Sequence, residues 1–241
     1  MTSTGVTDPS TSEAVASSTA EPRRDRKSRR TREALADAAL DLLLERGPDG
    51  VGIEDVTDRV DVSRRTFSRY FATKEEAALD FLRRDLARVN ATLAARPADE
   101  GLVEAYVATL RTWMRDDDHP AWHRSDRSKK ILRLAASDAA LGAAFRAIFA
   151  QAQDETARVA AARLDTDPAT DLRPATLAGV ATSGLITAGR AWIAGETDDL
   201  PEVIEQVFAI LHATISAVSA VPAVGPVAAV APVGRGRQPS H

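Results

Sequence analysis

The segment from Gly52 to Phe71, GIEDVTDRVDVSRRTFSRYF, constrains the fold of this chain more than any other part of its sequence. Ile53, Val56 and Val60 recur at the spacing of one helical face, which predicts a short amphipathic helix. Residues 61–63, Asp-Val-Ser, interrupt this spacing, and a second helical pattern follows directly. The segment therefore predicts two short helices joined by a tight turn.

The second of these helices, predicted over residues 64–71, has a defined start and two distinct faces. Ser63 is a good N-cap, because its hydroxyl can accept a hydrogen bond from an unpaired backbone N–H of the next turn. Phe67 and Phe71 lie four residues apart and are expected to pack inward together. The side chains left on the outer face are Arg64, Arg65, Ser68 and Arg69. This arrangement is typical of a helix-turn-helix, whose second helix enters the DNA major groove.

The motif from Val62 to Glu75, V-S-R-R-T-F-x-R-Y-F-x-x-K-E, resembles the TetR-type regulators. The resemblance covers Arg29 to about Asn90 closely and the remaining helical chain in outline. Asp61 stands where the family usually has glycine, and Asp tolerates the left-handed backbone region at modest cost. Ser68 stands where an aromatic residue is common, which puts one usual DNA-backbone contact in doubt.

The resemblance implies a set of residues that contact double-stranded DNA. Those in the helix-turn-helix and directly after it are Ser63, Arg64, Arg65, Thr66, Ser68, Arg69, Tyr70 and Lys74. Lys74 matches a family position that contacts a phosphate, and as a bare sequence feature it is also compatible with a solvated charge. Arg29 and Arg30 extend the set into the residues before the first helix.

A basic stretch, residues 23–32, precedes the helix-turn-helix domain. Its basic side chains are Arg23, Arg24, Arg26, Lys27, Arg29, Arg30 and Arg32, and Asp25 is its lone acid. Such a run is either a solvated surface or a flexible arm that neutralises phosphates or enters the minor groove. We favour the arm, because the stretch leads directly into a helix-turn-helix. Residues 1–22 lack apolar periodicity and are predicted to be disordered.

The helices on either side of the helix-turn-helix are also predicted from local signals. Thr31 to Arg46 is the first helix, with an inward stripe of Leu35, Ala39, Leu42 and Leu43. Thr73 and Glu76 form a T-x-x-E capping box that opens a fourth helix, whose apolar stripe continues to Leu93. We therefore predict a DNA-binding domain over residues 23–90, with Gly52 as the N-cap of the second helix.

Composition and charge exclude several classes of protein. The net charge of −4 argues against wholesale polyanion binding, so any nucleic-acid surface must be local. The absence of cysteine excludes disulfides and thiolate zinc sites and fits a reducing cytoplasm. No segment is typical of a signal peptide. Prolines interrupt the apolar residues 217–234, so we expect a disordered tail over residues 219–241 and no membrane helix.

The sequence offers no chemistry for catalysis. There is no nucleophile elbow, phosphate-cradling glycine loop or HExxH motif, so we expect no enzyme activity and no cofactor. His119 and His123 lie four residues apart beside three aspartates, which hints at a metal site. Pro120 is expected to start a helix and to leave His119 outside it, so we expect no metal.

A helical regulatory domain is predicted over residues 91–218, and the fold class is therefore all-α. Its helices are expected over residues 100–115, 120–136, 139–164, 173–194 and 201–218, and Gly195 is expected to cap the fourth of them. The last helix carries a wide apolar surface made of Val203, Ile204, Val207, Phe208, Ile210, Leu211, Ile215, Ala217 and Val218. The preceding helix carries the small residues Gly179, Gly184, Ala188 and Gly189. The two helices form either a buried core or, as the resemblance implies, a homodimer interface.

The same resemblance implies a small-molecule pocket in the regulatory domain. The candidates for its apolar lining are Tyr106, Trp113, Trp122, Phe145, Phe149 and Trp192, and Arg133 and Arg190 would suit an acidic headgroup. Aromatic residues at helical spacing are also typical of a plain core. The regulatory half resembles, more loosely, TetR-type proteins of mycofactocin systems, which implies an acyl-CoA-like effector.

Together these features predict a cytoplasmic, homodimeric regulator that binds a palindromic operator and is released by an apolar small molecule. One alternative is a ligand-free architectural DNA-binding protein, which would show weak sequence preference and no pocket. The other is an all-α protein-interaction module, which would not bind DNA.

Overall fold

The structure is a computed structural model that describes residues 23–195 and 199–218, and only the backbone of residues 211–218. The predicted disordered tails, residues 1–22 and 219–241, lie outside the described residues. So do the side chains of the last part of the predicted dimer stripe, Leu211, Ile215, Ala217 and Val218.

All regular structure in this described part is helical, which confirms the all-α prediction. The α-helices are α1 (Arg23–Arg46), α2 (Ile53–Val60), α3 (Arg64–Ser68), α4 (Lys74–Ala78), α5 (Asp80–Ala95), α6 (Leu102–Arg115), α7 (Asp126–Ser137), α8 (Ala139–Leu164), α9 (Arg173–Ala194) and α10 (Leu200–Val218). Short 3-10 turns lie at Pro48–Gly50 and Trp122–Arg124. Packing divides the chain into two compact units between Ala78 and Leu79.

The first unit packs α1 against α2 and α4. Its core contains the whole predicted stripe of α1 together with Val56, Phe67 and Phe71, each at most 2% exposed. Phe67 and Phe71 face each other with ring centroids 5.8 Å apart, as their spacing predicted. The inward face of the helix-turn-helix is thus fixed by a buried contact between two aromatic rings.

Two helix boundaries in this unit differ from the prediction. The first helix begins at Arg23 and not at Thr31, because Arg and Lys are good helix formers and Asp25 lies in its first turn. The basic stretch is therefore a helical extension and not a flexible arm. The second helix of the helix-turn-helix ends at Ser68, since Tyr70 N–H donates to Phe67 O at 2.8 Å and closes a tighter turn.

The predicted fourth helix is also divided. It breaks at Leu79, whose backbone (φ −98°, ψ 10°) leaves the helical region, and so α4 and α5 are separate. Directly after the break, Asp80 is fully buried and is paired with Arg83 and Arg84. A buried carboxylate with charged partners therefore marks the first turn of α5, where the helix dipole also favours a negative charge.

The second unit is built around α8, which packs against α5, α7 and α9. Helix α10 packs on α9 and α6, where Phe208 lies 5.8 Å from the ring of buried Tyr106. The bounds of α8 and α9 agree with the prediction, and Gly195 (φ 79°) caps α9 as expected. The helix predicted from Pro120 begins only at Asp126, because Ser125 accepts from Ser128 N–H as its N-cap.

Candidate nucleic-acid interface and regulatory unit

The turn of the helix-turn-helix is set by two residues. Asp61 adopts the left-handed conformation (φ 55°, ψ 53°) that the sequence required of this position. Ser63 Oγ accepts from Thr66 N–H at 3.1 Å and lies 3.0 Å from Thr66 Oγ1, so the predicted N-cap is present. The cap therefore occupies the hydroxyls of Ser63 and Thr66 before any DNA is bound.

The outward face of α3 presents two arginines in different states. Arg64 Nη1 lies 2.5 Å from Glu54 Oε1, and both side chains are exposed to solvent. Arg65 is exposed, and no hydrogen bond or ion pair of it is found within the described residues. Arg65 is thus available to a base edge, whereas Arg64 must first leave an ion pair of small energy.

Tyr70 joins the end of the helix-turn-helix to the basic stretch of α1. Its hydroxyl oxygen lies 3.0 Å from Ser28 Oγ and accepts from Arg69 Nη2 at 2.6 Å. Arg32 donates to Tyr70 O at 3.4 Å, and its guanidinium stacks 4.5 Å from the Phe71 ring. The hydrogen bond with Ser28 and then that with Arg69 lower the pKa of Tyr70. These contacts place the basic stretch beside the end of α3.

A positive surface therefore extends from the start of α1 to the outer face of α3. Its exposed members are Arg23, Arg24, Arg26, Lys27, Arg29, Arg30, Arg64, Arg65 and Arg69. The sequence analysis named all nine of these side chains but did not identify Ser28 and Arg32 as the residues that join the two segments. Nothing in the spacing of Ser28 distinguished it from the polar residues around it.

Lys74 has a different environment from the one that the sequence suggested. Its ammonium donates to Pro48 O at 2.7 Å and to Val51 O at 2.6 Å, and it lies 3.6 Å from Glu75 Oε1. The Lys74 ammonium thus binds backbone carbonyls of the loop before α2. We therefore do not count Lys74 among the residues of the positive surface. Ser68 is exposed, and its short side chain supplies none of the reach of the aromatic residue that is common there.

In the second unit, the three tryptophans form one cluster with His123. Ring centroids lie 6.4 Å apart for Trp113 and Trp122, and 5.5 Å apart for Trp122 and Trp192. His123 lies edge-on to Trp113 at 5.7 Å, and burial lowers its pKa. Lys129 Nζ lies 4.6 Å above the Trp192 ring. Trp113 and Trp192 are buried, so this cluster is a packed core.

Asp85 links the aromatic cluster to α5. Asp85 is 8% exposed as a residue, and its carboxylate accepts from Trp113 Nε1 at 3.3 Å and from Trp122 N–H at 2.9 Å. Arg88 Nη2 donates to its other oxygen at 2.5 Å. The sequence analysis did not identify Asp85, because an acidic residue in an amphipathic helix is normally expected on its solvent-exposed face.

The other predicted ligand residues are not gathered around this cluster. Phe145 and Phe149 pack on each other at 4.6 Å, and within the described chain no ring contact joins them to the tryptophans. Arg133 donates to Ile193 O at 3.2 Å, and Arg190 is exposed. The structure therefore brings together Trp113, Trp122 and Trp192 only.

The cavities that the structure describes lie elsewhere. Two adjoining cavities of about 340 and 440 Å³ lie along α5 and α8, and none of the eight predicted pocket residues lines them. The predicted ligand residues are therefore not the ones that line these two cavities, and the predicted ligand site stays a prediction.

Helices α9 and α10 pack on each other and leave apolar side chains exposed. Leu172 and Ile210 are 74% and 65% exposed, and Val203 and Val207 are half-buried. Gly184 and Ala188 are buried within the chain, whereas a Cβ at Gly189 would meet no atom within 4 Å. Gly184 and Ala188 thus pack within the chain, whereas Gly189 lies on an open face of α9.

Two kinds of site are not found in the described part of the chain. No helix there is long and apolar enough to cross a membrane. No group of three or more His, Asp or Glu side chains is arranged there to hold a metal ion.

Comparison with known proteins agrees with this architecture. Residues 35–78 match the sequence family "Bacterial regulatory proteins, tetR family", and residues 96–216 match "MftR C-terminal domain". The HTH-type transcriptional regulator TcmR of Streptomyces glaucescens is 31% identical over 184 residues, which cover 73% of this chain and 79% of TcmR. The protein named as the mycofactocin biosynthesis transcriptional regulator MftR of Mycobacterium tuberculosis is 23% identical over 202 residues, covering 83% of this chain and 98% of MftR.

Among solved structures, a TetR-family transcriptional regulator from Syntrophomonas wolfei superposes with a TM-score of 0.56 at 18% identity, covering 78% of this chain and 96% of that one. The helical fold and the matches to these sequence families and relatives show that the protein is a DNA-binding transcriptional regulator and not an enzyme. The chain belongs to the TetR family.

Proposed function

We propose that this protein is a repressor that binds a palindromic operator as a homodimer and leaves it when an apolar small molecule binds. The observation that carries the proposal is the exposed Arg65 on a capped recognition helix, beside a basic helix that Tyr70 holds in place. Such a repressor acts on DNA in the cytoplasm.

DNA recognition is assigned to the two parts of the positive surface. Arg64, Arg65 and Thr66 lie in the first turn of α3, from which side chains of a recognition helix reach base edges. Arg29 and Arg30 on α1 carry charges suited to phosphates, whose neutralisation gives affinity without sequence preference.

The homodimer is assigned to α9 and α10. Leu172, directly before α9, and Ile210, on α10, are the large apolar side chains that the described chain leaves most exposed. A second copy would bury them, and two copies would present two recognition helices to two half-sites.

The release step is assigned to α5, which directly follows α4 along the chain. Asp85 ties α5 to Trp113 and Trp122, so a ligand that moves the second unit has a polar connection to this helix. An apolar acid or an acyl-CoA-like ester is the effector class we propose, and by reciprocity operator DNA must weaken its binding equally.

The direct test measures operator affinity after selection of bound genomic fragments. Arg65→Ala should cost roughly 1–3 kcal/mol and relax specificity at one base pair, and Arg64→Ala should do the same less strongly. Arg146→Ala, an exposed change on α8, is the control and should change nothing. Equal affinity for all sequences in the wild type would favour an architectural DNA-binding protein.

The basic helix is tested by the dependence of affinity on salt. Arg29→Ala with Arg30→Ala should flatten the plot of log affinity against log salt by roughly one unit for each lost phosphate contact. An unchanged slope would show that this part of α1 is only solvated.

The dimer is tested by molar mass in solution. Ile210→Glu places a charge on the proposed interface and should shift the protein to monomers with much weaker operator binding. Ala147→Glu, which adds the same charge at an exposed site on α8, is the control. Dimers that persist in Ile210→Glu would place the interface elsewhere.

A further inference from the structure

The first turns of α2 and α3 carry opposite charges that meet. Arg64 Nη1 donates to Glu54 Oε1 at 2.5 Å, although the two residues are ten apart along the chain. The side chain of Arg64 is 67% exposed and that of Glu54 is 63% exposed, so the pair lies in solvent. Since the proposed function gives Arg64 to a base edge, Glu54 comes to the same part of the DNA with the opposite charge.

The backbone of Glu54 is held at the start of α2 by several hydrogen bonds. Asp55 Oδ2 accepts from Gly52 N–H at 2.7 Å, and Arg46 donates to Asp55 Oδ1 at 3.0 Å. Thr57 is 4% exposed, and its hydroxyl donates to Glu54 O at 2.9 Å. Because these bonds fix the first turn of α2 before DNA is bound, they also fix the direction in which the Glu54 side chain leaves the helix.

A carboxylate in this place opposes binding to most DNA. The charged side chains on the outer face of α3 and directly after it are the cations Arg64, Arg65 and Arg69, and within the described residues Glu54 is the acid found to pair with one of them. Repulsion between Glu54 and the phosphates therefore lowers affinity for DNA of any sequence. This cost is offset only where a base offers the carboxylate a hydrogen-bond donor.

The major groove offers such a donor at cytosine. A carboxylate accepts from the cytosine N4 amine, whereas at adenine the N7 acceptor beside the N6 amine would repel it. Arginine pairs with guanine O6 and N7, so the two charged heads match the two bases of G·C pairs. The Arg64 and Glu54 heads lie 2.5 Å apart, less than the roughly 3.4 Å between successive base pairs. They can therefore reach the same base pair or adjacent ones.

We infer that Glu54 is a specificity-determining residue, which accepts a hydrogen bond from a cytosine N4 amine at or next to the base pair that Arg64 reads. On such a site the ion pair opens, because each head exchanges its partner for a base edge, and on other sequences it stays closed. The inference rests on the proposed function, since it requires α3 to read a preferred operator. It adds a residue of α2 to a recognition surface whose other charged members are cations.

The first test is selection of bound duplexes from a random DNA library by the full chain and by variants of Glu54. The wild type should select a cytosine at or beside the guanine whose selection Arg64→Ala loses. Glu54→Ala should lose the cytosine and keep the guanine. Glu54→Gln should select adenine instead, because glutamine pairs with adenine N6 and N7. A cytosine preference that persists in Glu54→Ala overturns the inference.

The second test compares affinity for the selected operator with affinity for random duplex DNA. Glu54→Ala should bind random DNA about threefold more tightly, the scale of one exposed charge pair. It should bind the operator roughly tenfold more weakly, the scale of one mismatched base pair. Glu45→Ala is the matched control, because Glu45 forms an exposed ion pair with Arg59, in the last turn of α2. It should leave the ratio of the two affinities unchanged.

The third test identifies the atom that Glu54 contacts. An operator whose selected cytosine is replaced by a pyrimidine without the N4 amine should bind the wild type roughly tenfold more weakly and should bind Glu54→Ala no differently. Arg64→Ala should still prefer cytosine, since Glu54 contacts this base itself. Loss of the cytosine preference in Arg64→Ala would reduce Glu54 to a support for Arg64 and would overturn the inference.

The outcomes separate this role from the proposed function. A wild type that selects an operator while Glu54→Ala behaves identically overturns the role of Glu54 and leaves the repressor standing. A wild type that selects no sequence would instead refute the repressor. Because Glu54→Gln is expected to gain a new base preference, a folding defect cannot imitate its result.

Discussion

The DNA-binding unit and the regulatory unit are both helical, but they are specified by contacts of very different range. In the first unit the turn and caps join residues three apart, as in Gly52 with Asp55 and Ser63 with Thr66. In the second unit the polar contacts between helices span up to 94 residues, as in Asp85 with Trp113 at 28, Arg163 with Leu93 at 70 and Arg111 with Glu205 at 94. Hydrogen bonds between residues three or four apart can be predicted from the spacing of residue types in the sequence. Those between distant residues cannot.

The largest effect is expected at the aromatic contact of the DNA-binding unit. Phe67→Ala removes a fully buried ring and should lower the free energy of unfolding by about 3–5 kcal/mol. Urea unfolding followed by far-UV circular dichroism measures this change.

The matched change in the regulatory unit is Phe145→Ala. Phe145 is only partly buried, so its loss should cost clearly less than that of Phe67. Equal losses of unfolding free energy in Phe67→Ala and Phe145→Ala would mean that the two aromatic contacts stabilise their units equally. The proposed difference between the units would then be wrong.

The next effect is expected at Asp85. Asp85→Asn removes the charge that Arg88 pairs with and places an amide N–H₂ among donors, which should cost about 1–3 kcal/mol of stability. Asp154→Asn on the exposed face of α8 should cost almost nothing. An unchanged free energy of unfolding for Asp85→Asn would show that the hydrogen bonds of Asp85 to Trp113 and Trp122 do not stabilise the second unit.

A smaller effect, of the opposite sign, is expected at the two left-handed aspartates. Asp61 and Asp165 have φ of 55° and 50° and end α2 and α8. Replacing either with glycine relieves left-handed strain but adds chain entropy to the unfolded state, so each should stabilise by roughly 0.5–1 kcal/mol. Thermal unfolding of Asp61→Gly and Asp165→Gly compares the units directly, and a loss at either site contradicts the strain.

The smallest effect is a pH dependence from His123. Its burial, with Arg124 nearby, lowers its pKa below the ordinary 6.5, so the unfolded chain takes up the proton first. The stability from neutral His123 is complete above pH 6.5 and is lost as the pH falls towards the lowered value. His123→Phe should therefore lose less Tm than wild type between neutral and mildly acid pH, with His119→Gln as the control. Parallel Tm curves would contradict the shift.

What the sequence predicted follows the same division. The N-cap at Ser63, the left-handed Asp61, the paired phenylalanines and the cap of Thr73 on Glu76 N–H were all predictable, because each depends on neighbours within four residues. The Glu76 carboxylate accepts from Ala72 N–H, one residue before the predicted capping box. The bounds of α8 and α9 were also predictable, since Asp138 and Gly195 are strong local end signals.

What the sequence missed depended on distant partners. The position of the basic stretch beside α3 depends on Tyr70, 42 residues from Ser28, and the environment of Lys74 depends on carbonyls 23 and 26 residues away. The two cavities along α5 and α8 depend on how these helices pack, and their lining residues carry no individual sequence signal. The pocket predicted from the aromatic residues stays a prediction, and three of those residues, Trp113, Trp122 and Trp192, pack on one another.

The helical basic stretch of α1 has a thermodynamic consequence for operator binding. A flexible arm would lose roughly 1–2 kcal/mol of conformational entropy per residue on meeting DNA, whereas residues 23–32 are already helical in the free protein. Calorimetry should then show a heat-capacity change close to that of rigid docking, without the larger negative value of coupled folding. Tyr70→Phe, which removes the hydroxyl beside Ser28, should make that value more negative.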